Sequence, residues 1–193
     1  MLLAIEPETA ASSSRRAPGG AVRVDGGVVS LDVIVPTQER SRWCWAAIAV
    51  GLEAYYGRPA RGQAALAQEL LAGDLDRRDR DLDLDLDREL ELDRALTAVG
   101  CFAHWSPGKP TLARLRFELN LGRPVAARIE WHGGGGHYVL VTGHDTRGDD
   151  LLIADPQRGR SRVSYAAFPR GYERGGTWTE SFWTIPLTPS VEL

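Results

Sequence analysis

The sequence predicts an α+β domain in which an N-terminal helical half packs against a C-terminal antiparallel sheet. Three observations carry this. Stretches with helical spacing and terminal glycines occupy residues 42–56, 62–73 and 111–122. From Pro124 onward the texture changes to short β-prone runs separated by Gly, Asp and Pro. The chain has 193 residues, enough for one sizeable core and short for two. Helices first and strands afterwards favour segregated layers over an alternating parallel sheet.

Residues 1–27 read as a flexible leader: the apolar run is short and the arginines come late, unlike a secretory signal. "GVVSLDVIVPTQ" alternates loosely and ends in Pro36, which predicts a short edge strand running into a loop. The helix over 42–56 has Ser41 as candidate N-cap and Gly57 at its C-terminal cap. "GQAALAQELLAG" forms the second helix. Residues 74–94 carry ten carboxylates and five arginines, a local charge of -5 that leaves +2 for the rest of the chain. Alternating aspartates suggest a calcium loop, but Leu86 and Leu92 stand where its glycine and glutamate belong. This segment is expected as a solvated loop running into a helix near Asp87, with Leu92 and Leu96 facing inward. "TLARLRFELNLG" follows as an amphipathic helix, then strands at "PVAARIEW", "HYVLVTGH", "DLLIADP" and "SFWTIPL".

Hydrophobic content of 43% and charged content of 25% fit an ordinary globular protein, and a net charge of -3 without a basic stripe argues against nucleic-acid binding. No apolar run reaches the ~18 residues of a membrane-spanning helix. Two cysteines allow at most one disulfide, so both are expected as free thiols in a reducing compartment. Cys101, in "GCFAHW", reads as a buried strand residue; Cys44, between Trp43 and Trp45 at a helix start, reads as one kept for reactivity.

With Ser41 as cap, Cys44 falls in the first helical turn, where unpaired N–H groups and the helix dipole favour an anion. A thiolate there is a nucleophile, and a nucleophile needs a base, an orienting group and an oxyanion donor. His137 follows four glycines, whose bare backbone admits a substrate, and opens a strand of alternating Tyr, Val, Leu and Val. If that strand and "LLIADP" form a hairpin turning within 144–150, residues whose numbers add to about 292–294 face each other. His137 and Asp155 then share a face, opposite or diagonal; a slip of one residue separates them. Gln38, six positions before Cys44, lies in the loop feeding the helix, within reach of the thiol's surroundings. Trp45, Gly135 and Gly136 are the candidate substrate-binding residues.

Gln38, Cys44-Trp45-Ala46-Ala47, "GGGGHYVLVTGHD" and "LLIADPQRG" together resemble the papain-like cysteine proteases. The bacterial branch is the one that includes leader peptidases of bacteriocin exporters and avirulence-type effector proteases. The resemblance spans about residues 31–187 and implies a papain-like fold over a single domain, 28–193. It implies Gln38 at the oxyanion hole, Cys44 as nucleophile, His137 as general base and acid, and Asp155 as orienting group. It implies hydrolysis of a peptide or protein through a Cys thioester, without metal or organic cofactor. The acidic segment departs from the family's pattern, and no ATP-binding module follows, so no exporter is expected to be attached.

An amidase or transglutaminase-like acyltransferase using the same residues, and a non-catalytic peptide-binding module, are the alternatives. The acidic segment, if it borders the cleft, favours basic substrates. The remaining histidines read blandly: His104 half-buried on a strand, His144 at the hairpin turn with Asp145, and His132 short of the partners zinc requires. Trp43, Trp131, Trp178 and Trp183 read as core or cleft wall. The protein is expected as a monomer, in the cytoplasm or delivered by a route independent of a signal peptide, with no nucleic-acid or membrane partner.

Overall fold

The computed structural model describes residues 13–17, 20–59, 61–72, 86–168, 172 and 175–186. Among them are four helices and nine strands in one antiparallel sheet. The strands are β1 (Ser13–Ala17), β2 (Gly20–Asp25), β3 (Val28–Leu31), β4 (Phe102–Pro107), β5 (Val125–Trp131), β6 (Gly136–Asp145), β7 (Asp150–Asp155), β8 (Gly159–Ser164) and β9 (Gly176–Thr184). The helices are α1 (Cys44–Tyr55), α2 (Gln63–Ala72), α3 (Leu92–Ala98) and α4 (Leu112–Asn120). The sheet runs β1-β2-β3-β6-β5-β9-β4, with β7 on β6 and β8 on β7. β6 is the hub: it pairs β5 over 136–141, β7 over 140–144 and β3 over 143–145.

Helix α1 is buried at every position from Cys44 to Glu53, which explains a sequence apolar all round rather than striped. It packs on β6 and against α2 and α3. Gly51 has a packing reason: a Cβ there would lie 2.7 Å from the Ile34 carbonyl oxygen, so the incoming loop passes only because the side chain is missing. α1 ends as expected. Gly57, at φ +85°, sits past the last turn, with its N–H on Ala54 and that of Arg58 on Glu53. α4 is capped at both ends, by the Thr111 hydroxyl accepting from the Arg114 N–H and by Gly122 at φ +75°. Its Leu115 and Leu119 are buried.

Several expectations are corrected. Residues 20–25, placed in the flexible leader, form β2, and Ser13–Ala17 pair with it as β1. Val22 is fully buried, so this part of the leader belongs to the core. β3 is accordingly not an edge strand; it lies between β2 and β6. Helix α3 starts at Leu92, not near Asp87; residues 86–91 are irregular, while Leu92 and Leu96 do face inward. β8 was not anticipated, and β9 begins five residues before the expected "SFWTIPL". The acidic segment lies outside the described residues from 73 to 85. Both cysteines are free and buried.

Candidate active site

The hairpin β6–β7 brings His137 and Asp155 together, with His137 Nε2 2.8 Å from Asp155 Oδ1. A bulge makes this possible. Near the turn, Gly143 and His144 pair with Leu152 and Leu151; farther on, Leu140 and Val141 pair with Ala154 and Ile153. Continued from the turn, the first register would set Asp155 opposite Leu140, on the face away from His137. The irregularity between Val141 and Gly143 advances the pairing by one and returns Asp155 to the face of His137, diagonal to it. Gly143 is required at that point, because a Cβ would lie 2.4 Å from the Val29 carbonyl oxygen of β3.

Asp155 is 3% exposed and both its carboxylate oxygens accept hydrogen bonds. Oδ1 also takes the N–H groups of Gln157 and Arg158, at 2.8 and 3.2 Å, and Oδ2 takes the Tyr172 hydroxyl at 2.6 Å. Burial alone would raise the Asp155 pKa, but His137, Tyr172 and the Gln157 N–H hold it below the ordinary carboxylate value. For His137 burial pushes the pKa down. The hydrogen bonds with Asp155 and with Cys44 outweigh it and raise the imidazole to about 9. Since Nε2 is taken by Asp155, Nδ1 is left for the thiol. The indole of Trp131 stacks on the imidazole at 6.2 Å, with the Arg158 guanidinium 5.3 Å from the same indole. Trp131 thus shields the His–Asp pair, and a low dielectric strengthens it.

Cys44 is the first residue of α1, with Trp43 in the cap position and no side-chain cap. Ser41, the expected cap, instead donates its hydroxyl to Asp87 Oδ2 at 2.7 Å, while Asp87 Oδ1 accepts the Arg42 N–H at 2.9 Å. The flanking tryptophans explain themselves here. Trp43 Nε1 donates to the Leu86 carbonyl at 2.5 Å and Trp45 Nε1 to the Arg88 carbonyl at 3.1 Å. Two indoles therefore staple the chain at 86–88 across the head of α1. The result is a cleft of about 240 Å³ whose lining includes Cys44, Trp45, Arg88, Glu91, Arg128 and Gly136. Its polar rim holds Arg42, Arg88, Arg94 and Arg128 against Glu89 and Glu91, so this described part is not acidic.

The other sequence candidates fall in different places. Trp45 is fully buried and forms the cleft floor beside the thiol, and Gly136 lines the cleft next to Arg128. Gly135 does not line it; at φ +86° it turns the chain between β5 and β6 and its carbonyl accepts the Trp131 N–H. Gln38 Nε2 donates to the carbonyls of Arg40 and Ser41 at 2.9 and 2.8 Å, so its amide is turned into its own loop. Its Oε1 is buried with no partner among the described residues. The backbone N–H of Gln38 donates to the Pro156 carbonyl at 2.9 Å, tying this loop to the residue after Asp155.

Cys101 is buried just before β4 rather than within a strand, and burial pushes its thiol up to about 12. His144 lies within β6, buried on Asn120 and the Asp145 carbonyl, and His104 is exposed and stacks on Trp183. Among the described residues no group of His, Cys, Asp and Glu could hold a metal ion, and no helix is long and apolar enough to cross a membrane. Sequence reasoning missed Tyr172, whose only local signal is one tyrosine among glycines and charges.

Solved structures similar to this chain include three peptidases. A C39-like peptidase from Bacillus anthracis is 13% identical, covers 81% of this chain and 96% of its own, and has a TM-score of 0.52. A double glycine motif protease from an AMS/PCAT transporter, solved with its leader peptide, is 18% identical over 82% of this chain and 94% of its own, with a TM-score of 0.46. The peptidase domain of Streptococcus ComA is 19% identical over 77% and 96%, with a TM-score of 0.49. No curated protein matches the chain in sequence. The first of these shows the fold to be that of a C39-like peptidase. Residues 28–173 match the family model described as papain-like cysteine protease AvrRpt2, and the chain therefore belongs to that family of cysteine peptidases.

Proposed function

We propose that the protein is an endopeptidase that cleaves peptide bonds through a thioester on Cys44. The observation that carries this reading is the arrangement at the head of α1: Cys44 starts the helix, its thiol is near enough to His137 to raise the imidazole's pKa, and His137 is held at 2.8 Å by a buried Asp155. The Cys44 thiolate attacks the carbonyl carbon, and the protonated imidazole gives its proton to the leaving amine. His137 then takes a proton from water, whose oxygen attacks the thioester carbonyl; the C–S bond breaks, releasing the acid and restoring the Cys44 thiolate beside the protonated imidazole. Asp155 keeps Nε2 protonated and the ring fixed throughout. Peptide substrates are supported by the family of cysteine proteases to which the chain belongs.

Gln38 supplies the oxyanion donor by turning one Nε2 hydrogen from a loop carbonyl to the substrate oxygen. A donor of this kind contributes about 3 kcal/mol, and giving up the existing hydrogen bond costs about 1 kcal/mol. The net gain is roughly 2 kcal/mol, so Gln38→Ala should lower kcat about 30-fold, well short of the loss at Cys44.

The test is the alkylation rate of Cys44 against pH, read by mass spectrometry, in wild type and His137→Ala, with Cys101 as internal reference. Selective alkylation of Cys44 near neutral pH, lost in His137→Ala, supports the pair. Equal rates at both cysteines would overturn it. Product analysis separates the chemistries: a new peptide N-terminus marks hydrolysis, whereas ammonia release or an isopeptide marks the amidase or acyltransferase alternative.

A further inference from the structure

Gln63, the first residue of α2, is 2% exposed and lies far from Gln38 in sequence. Its Oε1 accepts the Glu39 N–H at 3.1 Å and its Nε2 donates to the Thr37 carbonyl at 2.8 Å. These are the two residues that flank Gln38. One carboxamide thus engages a donor and an acceptor two residues apart, as a neighbouring strand would. On the other side the Gln38 N–H is held by the Pro156 carbonyl, at the end of β7. The backbone at residue 38 is therefore gripped from the helical half by Gln63 and from the sheet half beside Asp155. A buried amide is costly unless both its ends are bonded, and here both are spent on the loop rather than on α2's own neighbours.

We infer that Gln63 is a positioning residue for Gln38: it fixes the point from which the oxyanion donor projects, without touching substrate. The inference rests on the oxyanion role proposed for Gln38. Loose positioning of a transition-state donor lowers kcat while leaving ground-state binding in place.

The experiment is a double-mutant cycle between Gln63→Leu and Gln38→Ala, measured on a cleaved peptide, with Cys44 alkylation as a second readout. Gln63→Leu alone is expected to lower kcat about 10-fold with KM nearly unchanged. Cys44 alkylation should keep its wild-type rate and pH dependence, because the His137–Asp155 pair is untouched. On the Gln38→Ala background Gln63→Leu should have no further effect. Gln63→Glu keeps the size and the acceptor for Glu39 but loses the donor to Thr37; its loss should vanish on the same background, and it serves if the leucine variant folds poorly. Equal losses on both backgrounds, a parallel fall in alkylation, or no loss in either single variant would overturn the inference. An unchanged kcat in Gln38→Ala would instead overturn the oxyanion role itself, whatever Gln63 does.

Discussion

The two sides of the candidate site are built differently. On the sheet side, His137 and Asp155 project from paired strands, are 5% and 3% exposed, and are joined by donors from Tyr172, Gln157 and Arg158. On the helix side, Cys44 starts α1 and its surroundings are irregular loops, 37–43 and 86–91, fastened by side-chain contacts from Trp43, Trp45, Ser41 and Gln63. The sheet side holds its geometry through burial and a continuous ladder. The helix side holds its geometry through side chains that reach backbone carbonyls and amides at long sequence separation. Charge and proton position are therefore set by the sheet, and the shape of the cleft by the staples.

The largest effect should come from breaking the sheet side. Asp155→Ala is expected to lower kcat by about 10²–10⁴-fold. The imidazole now titrates high, at about 9, so its protonated form persists across neutral pH and activity falls as pH rises through that value. Without Asp155 the imidazole loses a partner that holds its pKa up while burial still pushes it down, so the alkaline limb of the pH–rate profile moves to lower pH. Asp155→Asn should lose less, because its Oδ1 still accepts from His137, Gln157 and Arg158 and its Nδ2 can donate to the Tyr172 oxygen. Its alkaline limb should also move down, since the charge is gone. The same linkage acts on folding. A raised histidine pKa contributes stability that is complete below about 6.5 and is lost as pH rises through about 9. Equal profiles in wild type and Asp155→Ala would show that the pair does not set the protonation of His137.

A smaller effect, of a different kind, should follow from loosening a staple. Trp45→Phe keeps the ring that floors the cleft but drops the hydrogen bond to the Arg88 carbonyl, worth about 1 kcal/mol. Substrate titrations should show KM rising about threefold to tenfold with the Cys44 alkylation profile unchanged. A loss of alkylation would mean that the two sides are not separable. The smallest effect is expected at Asp87→Ala. This removes contacts to Ser41 and Arg42 on exposed chain, and should change kcat/KM by no more than about threefold. A larger loss would place Asp87 among the essential fasteners.

The comparison also separates what sequence reveals from what it hides. The helix ends closed by glycine at 57 and 122 were legible because such capping is local, acting on residues three to five positions away. The pairing of His137 with Asp155 was legible because strand periodicity fixes which residues share a face. That reading held through a bulge it did not foresee. The turn-side register alone would have separated the two, and the irregularity between Val141 and Gly143 restored them.

By itself, the sequence determined the layered α+β architecture, the placement of Cys44 at a helix start, and the shared face of His137 and Asp155. Only the tertiary structure decided that residues 20–25 join the core, that two indoles hold the chain at 86–88, that Tyr172 completes Asp155, and that Gln38 turns its amide into its own loop. The physical reason is range. Turns, caps and alternation are set by neighbours within a few residues. An indole N–H or a buried carboxamide can bond any carbonyl, and which one it meets is chosen by the packing of the whole chain.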